Sequence, residues 1–525
     1  MLRPSLTHRL AVGLLPAAFL TVMLAAPVLR LLFEGGSGAL AGVMHALWQD
    51  DYLRWRLAWT FIQAALTCAL ALAFGLPVAW TLARHDFAGR SLTLRLLMLP
   101  FVVPTLVAAL GVLALWGPRG LISGGFGLHL QDTPWLLLYG NLFFNLCVVV
   151  RAGVDALEQV SAARVAAART LGATPWRAFW RVEWPAIAPW LASALCLVFL
   201  YCFAGFGLAL ILGGQGYATV EVEIYTLVAH ELKLAEAGAL AMIMLTLTGG
   251  VALAYALVEK RLATPARADA IARRSPHGWR QKALVGASMS VLLVFCAAPL
   301  LAILVRALLA GQAAWAVLLE DDTLRAMGNT LRFSASALVL ATLLGLTHAL
   351  AARHSVWLRA SAFLPFVVSP VTVAFGLLLL YPQWTASLPL LVAAYALLAY
   401  PFVAKSISAA LDSLPAHLAQ AARTLGATPW RTFWRVTLPL IAPALRRGMA
   451  FAAATSLGEF AVTLFLSRPE WMTLTTLIYQ RLSLPGAVNL DATLILACLL
   501  MMLALLAFLL IDPRQPTPPK ETRHA

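Results

Sequence analysis

Two copies of one short segment carry the side chains of this sequence that are best suited to recognition chemistry. Residues 167–177 recur letter for letter at 421–431, and the similarity extends to Pro185 and Pro439. Each copy places two tryptophans and a phenylalanine at i, i+3 and i+4, so that they share one face of a helix, and two arginines four residues apart share another. Aromatic rings with guanidinium groups beside them are typical of protein docking surfaces. The candidate docking residues are Trp176, Arg177, Phe179, Trp180 and Arg181 in the first copy and Trp430, Arg431, Phe433, Trp434 and Arg435 in the second.

A glycine before each aromatic group predicts the turn that positions it. Gly172 and Gly426 suit the left-handed conformation that ends a helix, and the Thr-Pro pair that follows each of them favours the start of a new one. Pro185 and Pro439 are predicted to stop these short helices before the next apolar segment.

Such a helix is too short to cross a bilayer, so two interpretations compete. It lies among lipid headgroups with its aromatic rings in lipid, or it docks against a cytoplasmic partner. Near-identical copies within otherwise diverged surroundings favour docking against two identical partners.

Catalytic and metal-binding motifs are not found. No lysine follows a glycine, so the chain has no phosphate-binding loop of the Gly-x4-Gly-Lys type. All six cysteines fall within apolar segments and form no Cys-x-x-Cys pair, which indicates packing residues. The chain is therefore predicted not to be an enzyme and to bind no cofactor or metal ion of its own.

Composition indicates a membrane protein. Of the 525 residues 61% are hydrophobic and 12% are charged, whereas about a quarter of the residues in soluble domains are charged. Long apolar segments recur about twelve times, and nearly all of them are long enough to span a bilayer. The predicted spans, numbered one to twelve, are 10–33, 57–83, 96–117, 135–150, 187–213, 236–258, 283–309, 328–352, 360–381, 386–403, 441–467 and 491–511.

The net charge of +15 follows from topology. If both termini are cytoplasmic, most of the 38 basic residues lie in inner loops, as the positive-inside rule expects. We therefore predict contact with a lipid bilayer and no binding of nucleic acid. A cleaved signal peptide is the alternative for span one, whose apolar run is longer than a signal-peptide core.

An internal repeat organises the chain into two halves. The offset of 254 residues between the repeated segments persists to Phe206 and Phe460, and residues 99–103 resemble 364–368. Because six spans is an even number, both copies cross the membrane in the same direction, which predicts a parallel pair of halves. The predicted divisions are a first half 1–258, a basic cytoplasmic linker 259–282, a second half 283–512 and a disordered tail 513–525.

The repeated segments resemble a family motif. The spacings Ala-Ala-x3-Gly-x9-Val-x-x-Pro at 167–185 and Gln-Ala-Ala-x3-Gly-x9-Val-x-Leu-Pro at 420–439 are similar to the EAA loop of ABC importer permeases. In that family the loop carries the coupling helix, which sits in a cleft of the ATP-binding subunit. The family's leading Glu is Ala166 in the first copy and Gln420 in the second. We call residues 166–185 and 420–439 the first and second coupling segments.

The resemblance implies an architecture and a set of partners. The expected fold is two parallel six-helix halves of the type I permease class. Two copies of an ATP-binding subunit would carry ATP and Mg²⁺, and a periplasmic substrate-binding protein would deliver the substrate. The expected location is the bacterial inner membrane, crossed many times, with both termini in the cytoplasm.

Further stretches resemble one branch of the family. The fused twelve-span form is similar to iron(III)- and thiamine-type permeases. The stretches that look most like thiamine and thiamine pyrophosphate permeases are residues 48–53, 181–185, 202–206, 212–214 and 219–225. An iron(III) permease remains the alternative. A secondary transporter with two six-span halves is more distant, because the preserved loop follows span four and the spans carry few charges.

One ionisable residue marks a possible substrate path. Glu459 lies within predicted span eleven, where a carboxylate is costly and usually faces protein or water; its counterpart in the first half is Gly205. With Tyr201, Phe206 and Phe460 nearby, it could attract a cationic ring. The alternative is that Glu459 forms hydrogen bonds across helices and stabilises the bundle.

Overall fold

Helices make up nearly all of the described part of the chain. The computed structural model describes residues 6–36, 38–128, 130, 132–261, 271–353, 355–385, 387–466 and 468–511. Part of the predicted linker and the whole predicted tail 513–525 lie outside these residues.

The main helices follow the predicted spans in order. Those of the first half are Gly13–Gly36, Asp51–Arg84, the pair Arg90–Val102 and Thr105–Trp116, Pro134–Glu158, Pro175–Phe203 and Leu234–Leu257. Those of the second half are Gly278–Leu309, Asp321–Ala352, the pair Trp357–Val367 and Pro370–Leu380, Leu388–Ser413, Leu438–Leu457 and Ala487–Ile511. Shorter helices between them are Ala39–Gln49, Ser123–Phe126, Ala162–Thr170, Gly207–Leu212, Val220–Ala229, Gln312–Trp315, Ala316–Leu319, Ala416–Thr424, Ala461–Leu466, Pro469–Trp471 and Leu474–Leu482.

The length and composition of these helices confirm an all-α polytopic membrane protein. Within the described residues, nine single helices are long and apolar enough to cross a membrane, or up to 11 elements if each bent pair is one span. The helix Leu438–Leu457, which corresponds to predicted span eleven, is not among these 11 elements. It has 20 residues, but Arg446 and Arg447 make it less apolar.

Spans three and nine are bent, although the hydropathy pattern predicts straight helices there. Their two limbs meet at angles of 105° and 96°. Val103 and Ser369 are extended at the breaks, and each is followed by a proline, Pro104 or Pro370. Proline disfavours helical backbone at the preceding residue and has no N–H to continue the ladder, so each helix restarts after the bend.

Spans five and eleven are also shorter than predicted. Their helices end at Phe203 and Leu457 and resume at Gly207 and Ala461. The continuous spans predicted over 187–213 and 441–467 are therefore wrong at this point. In the part of the chain that the structure describes, four of the predicted spans are thus broken, two from each half.

The first span of each half packs against the other half. Ser288 of span seven donates a hydrogen bond to Thr81 of span two at 3.0 Å, and Tyr381 of the second half donates to the Val22 carbonyl of span one at 3.0 Å. We call this packing of spans one and seven against the opposite halves the exchange of spans. It brings the backbones of neighbouring helices close together in both halves. A Cβ on Gly111 would lie 2.7 Å from the Pro299 carbonyl oxygen, and a Cβ on Gly376 would lie 2.9 Å from that of Pro27.

Candidate functional site

The two coupling segments have the same backbone conformation. Gly172 and Gly426 both have φ of +84°, the left-handed value that an L side chain rarely adopts. Thr174 and Thr428 then accept hydrogen bonds from the backbone N–H of Arg177 and Arg431, each at 3.3 Å. The predicted glycine turn and threonine cap are present in both copies.

The predicted aromatic face forms a cluster that is exposed in both copies. In the first, the ring centroids of Trp176 and Trp180 are 5.6 Å apart, and Phe179 lies 5.4 Å from Trp180. The matching distances in the second copy are 5.4 Å between Trp430 and Trp434 and 5.7 Å between Phe433 and Trp434.

The leading tryptophans are the most exposed members of these clusters, since Trp176 is 70% and Trp430 69% exposed. The four arginines Arg177, Arg181, Arg431 and Arg435 are exposed beside them.

The sequence analysis did not identify one pair of exposed leucines in the coupling segments. Leu171 and Leu425, which directly precede the turn glycines, are each 88% exposed. Their signal was the letter-for-letter repeat itself, which includes both residues. An exposed leucine beside exposed tryptophans enlarges the apolar surface of each segment.

The prolines do not stop the short helices, contrary to the prediction. Pro185 and Pro439 are the second residues of the helices Trp184–Phe203 and Leu438–Leu457. Each of these follows a π-helical turn that continues directly from the coupling helix. The missing proline N–H is tolerated because the wider π turn ends at that point.

One continuous helix therefore runs from each coupling segment to the centre of the bundle. Residues 175–203 form 29 residues of helix, about 43 Å at the usual rise. A displacement of the coupling segment is thereby carried to the helix break at its far end.

A cavity of about 300 Å³ lies between the halves, where the four helix breaks meet. The structure brings all four residues of the predicted substrate path to this one cavity. They are Tyr201, Phe206, Glu459 and Phe460. Its size is at the lower end for a small-molecule site.

An aromatic cluster lines the cavity on the side of the coupling segments. Phe101 contacts the rings of Tyr201 at 5.8 Å and Phe402 at 6.3 Å, and Phe366 contacts Phe402 at 5.2 Å. Phe101 and Phe366 occupy matching positions just before the bends of spans three and nine. We call these four residues the loop-side cluster.

A second aromatic group lies beyond the helix breaks. Phe206 and Phe460, one from each half, stack with ring centroids 6.1 Å apart. Tyr225 lies 5.5 Å from Phe206, and its counterpart Tyr479 lies 5.2 Å from Phe460. This far-side quartet is built from two equivalent pairs, whereas the loop-side cluster is not.

Glu459 is buried and caps a short helix. Its Oε1 accepts a hydrogen bond from the Val462 N–H at 3.0 Å, at the start of the helix Ala461–Leu466. The bond is local, and it differs from the cross-helix bond weighed as the alternative. A cap uses part of the hydrogen-bonding capacity of a carboxylate, which has about four acceptor positions.

Polar side chains on the first-half side of the cavity bond to one another. Asn141 donates to the Gln63 side-chain oxygen at 2.7 Å, and Gln63 donates to the Cys202 carbonyl at 2.8 Å. Asn145 donates to the Asn141 carbonyl at 2.9 Å. This network holds spans two, four and five together beside the break at 204–206.

The three phenylalanines of the loop-side cluster were missed because hydropathy treats them as ordinary span residues, whereas Tyr201 was predicted. A signal was available in the repeated Leu-Pro-Phe-Val-Val stretch, whose Phe101 and Phe366 stand two and three residues before an extended residue at the bend.

Comparison with known proteins defines the class. A family model described as "Binding-protein-dependent transport system inner membrane component" matches residues 71–264 and again 278–513. The chain therefore belongs to this family, in a fused form with two permease units. It is a multi-pass membrane component of an ABC importer, and such a system includes ATP-binding and substrate-binding partners.

Several named relatives align along most of the chain. The thiamine transport system permease protein ThiP of Escherichia coli is 28% identical over 489 residues, which are 89% of this chain and 90% of that protein. ThiP of Brucella abortus is 29% identical over 490 residues, 90% of this chain and 89% of the relative. The sulfate transport system permease protein CysW of Synechocystis is 30% identical over 201 residues, 38% of this chain and 72% of that protein.

Proposed function

We propose that this chain is the inner-membrane permease of an ABC importer for thiamine and thiamine pyrophosphate. The observation that carries the substrate is the alignment of thiamine transport permeases along about nine-tenths of the chain. A periplasmic binding protein delivers the substrate, and both termini of the chain are cytoplasmic.

The matched coupling segments support two copies of one ATP-binding subunit as the partner. Gly172 and Gly426 shape identical turns, and each segment exposes a tryptophan-rich face with arginines beside it. Such faces fill apolar grooves, while the surrounding guanidinium groups set orientation. Identical faces on diverged halves fit identical partners, and ATP and Mg²⁺ are bound by those partners.

The chemistry of the cavity supports a substrate with a flat, cationic ring. Thiamine carries a thiazolium cation and an aromatic pyrimidine ring. Tyr201, Phe101 and Phe402 offer ring faces to such groups, and cation–π contacts contribute about 0.5–2 kcal/mol each. Glu459 adds a carboxylate to the lining of the cavity. The cavity is proposed as the point through which thiamine passes between the halves.

Transport would proceed by alternating access. Closure of the two ATP-binding subunits moves the coupling segments together, and the continuous helices 175–203 and 429–457 carry that motion to the breaks at the cavity. The far-side quartet then separates while the loop-side cluster stays closed, and the reverse follows ATP hydrolysis. Because spans one and seven are exchanged, neither half moves without the other.

The test is uptake of labelled thiamine by cells that lack the chain, restored with wild type or with a Gly172→Val, Gly426→Val double variant. Valine is strained at φ of +84°, so both turns are expected to distort. Wild type should restore uptake that ends when ATP is depleted, and the double variant should not. The matched control is Gly286→Val, which alters an exposed helical glycine with open space around it.

Other outcomes separate the alternatives. If thiamine uptake does not depend on the chain while iron(III) uptake does, the permease architecture stands and the substrate is wrong. If transport survives the double variant and follows the proton gradient, the coupling segments do not have the proposed role.

A further inference from the structure

A buried ion pair joins the first coupling segment to the bundle. Nη2 of Arg84 lies 2.5 Å from Oε2 of Glu183, and the two side chains are only 9% and 10% exposed. Arg84 stands at the end of span two, and Glu183 is the last residue of the π turn. Arg84 also donates to the Leu157 carbonyl of span four at 3.3 Å. One guanidinium group thus connects the coupling helix to two spans.

The linker makes further contacts beside this ion pair. The Arg274 N–H donates to the Arg84 carbonyl at 3.1 Å, and the Asp86 N–H donates to the Arg274 carbonyl at 3.0 Å. The neighbouring linker residue Arg273 forms an ion pair of 3.0 Å with Glu158 at the end of span four. The described part of the linker is therefore bonded to the residues that flank the Arg84–Glu183 pair.

The second coupling segment has no counterpart of Glu183, one of four positions at which the two segments differ. Thr437 stands where the first half has Glu183, and Arg353, the counterpart of Arg84, is exposed. Threonine carries no charge, so this ion pair cannot form in the second half. A neighbouring pair is kept in both halves, since Arg90–Glu158 at 2.8 Å corresponds to Arg359–Asp412 at 3.2 Å. The difference is specific to the contact with the coupling segment.

We propose that Arg84 and Glu183 are positioning residues that hold the first coupling segment rigidly on the transmembrane core, whereas the second segment, with Thr437 in place of Glu183, has no such ion pair and is held less rigidly. Buried ion pairs are little screened, and removing one partner leaves an uncompensated charge, so the pair fixes the angle between the coupling helix and the spans. Movement of the ATP-binding subunit docked on the first coupling segment is transmitted directly to the spans. Movement of the subunit docked on the second segment is transmitted less directly, because that segment can change its angle to the spans. The part of this inference that concerns transport rests on the proposed function.

The rigidity itself can be tested on the chain alone in membranes by hydrogen exchange. In wild type the backbone amides of 175–183 should exchange more slowly than those of 429–437, although the two sequences are nearly identical. Arg84→Gln and Glu183→Gln should each raise exchange in 175–183 to the level of the second segment. Arg353→Gln, the matched control, should change neither segment. Equal exchange of the two segments in wild type would overturn the proposal.

The transmission is tested in vesicles that contain the complete transporter. Arg84→Gln and Glu183→Gln should each lower the thiamine imported per ATP hydrolysed by at least about fivefold, the lower end of coupling between sites. ATP hydrolysis itself should continue. The double variant should be no worse than either single variant, because both remove the same contact. Arg353→Gln should keep the wild-type ratio.

The outcomes separate this inference from the proposed function. If the wild-type transporter shows no ATP-driven import of thiamine, the proposed substrate is wrong. The hydrogen-exchange experiment still tests the rigidity of the first coupling segment in that case. If Arg84→Gln and Arg353→Gln lower the import ratio equally, or if only the amount of folded protein falls while the ratio is kept, the pair has no positioning role.

Discussion

The two coupling segments are almost identical, whereas the walls of the cavity between the halves differ. Turn, cap and aromatic spacing agree closely between 172–180 and 426–434. At the cavity, Tyr201 faces across to a half that has Thr455 at the matching position, and Glu459 corresponds to Gly205. Identical segments fit a partner present in two copies, and an uneven cavity fits one small asymmetric substrate.

This contrast separates two kinds of constraint on a fused repeat. A surface that meets two copies of the same protein must stay the same in both halves. A cavity on the axis between the halves meets a single molecule, so each half is free to supply different groups. The far-side quartet, with two equivalent Phe–Tyr pairs, retains the symmetry of the repeat beside a cavity that has lost it.

Removal of both leading tryptophans should have the largest effect. Trp176→Ala with Trp430→Ala removes the most exposed ring of each docking face, and buried tryptophans at interfaces commonly contribute about 2 kcal/mol or more each. We expect the double variant to lose co-purification with the ATP-binding subunit and each single variant to weaken it by a similar factor. Trp357→Ala, a change of another highly exposed tryptophan, is the control. Unequal single variants would contradict the equivalence of the two segments.

The exchanged spans offer a symmetric test of assembly. Gly111→Val and Gly376→Val place side chains against the backbones of Pro299 and Pro27. Overpacking of this kind costs about 1–3 kcal/mol, and we expect both variants to lower the thermal unfolding temperature of the purified chain by similar amounts. Gly328→Val, which has open space around its Cβ, should leave that temperature unchanged. A large effect from only one variant would show that the exchange stabilises one half alone.

Much of this architecture could be predicted because its signals are local. Apolar runs indicate the spans, and the letter-for-letter repeat indicates the coupling segments with their turns. The exchange of spans one and seven could not be predicted, since it depends on packing between residues such as Ser288 and Thr81, which are far apart in the chain. Hydropathy reports that a segment is apolar and carries no information on its neighbour.

The bends of spans three and nine were missed because a proline inside a membrane helix either leaves the helix continuous or accompanies a bend. Pro77 and Pro401 lie within the continuous helices Asp51–Arg84 and Leu388–Ser413, while Pro104 and Pro370 accompany bends near 100°. Neighbouring helices decide which outcome holds, because they supply or withhold partners for the freed backbone groups. The cavity, where these bends meet the breaks of spans five and eleven, could therefore not be predicted from the sequence pattern.

A change at Glu459 tests the uneven cavity. Glu459→Gln removes the charge but leaves an amide oxygen that can still accept from the Val462 N–H. If the carboxylate attracts the thiazolium cation, thiamine uptake should fall roughly fivefold, which corresponds to about 1 kcal/mol for a contact that loses its charge. Uptake rates over a range of thiamine concentrations give this value.

The capping role of Glu459 predicts a different pattern of variants. Glu459→Ala loses both the cap and the charge, so it should lower thermal stability as well as uptake, whereas Glu459→Gln should lower uptake alone. If Glu459→Gln transports like wild type while Glu459→Ala does not, the residue acts only as a helix cap.

The smallest expected effect concerns the arginines of the docking face. Arg177→Ala and Arg431→Ala remove exposed charges, and charges at the edge of an interface change the association rate more than the final affinity. We expect association with the ATP-binding subunit to slow by a few-fold at low salt. The difference from wild type should vanish at high salt, where exposed charges are screened over about 3 Å at 1 M. Stopped-flow measurements with the purified ATP-binding subunit give the association rate at low salt and at high salt. Because the two segments match, the two variants should agree, and a slowing that persists at high salt would indicate that the arginines are buried in the interface.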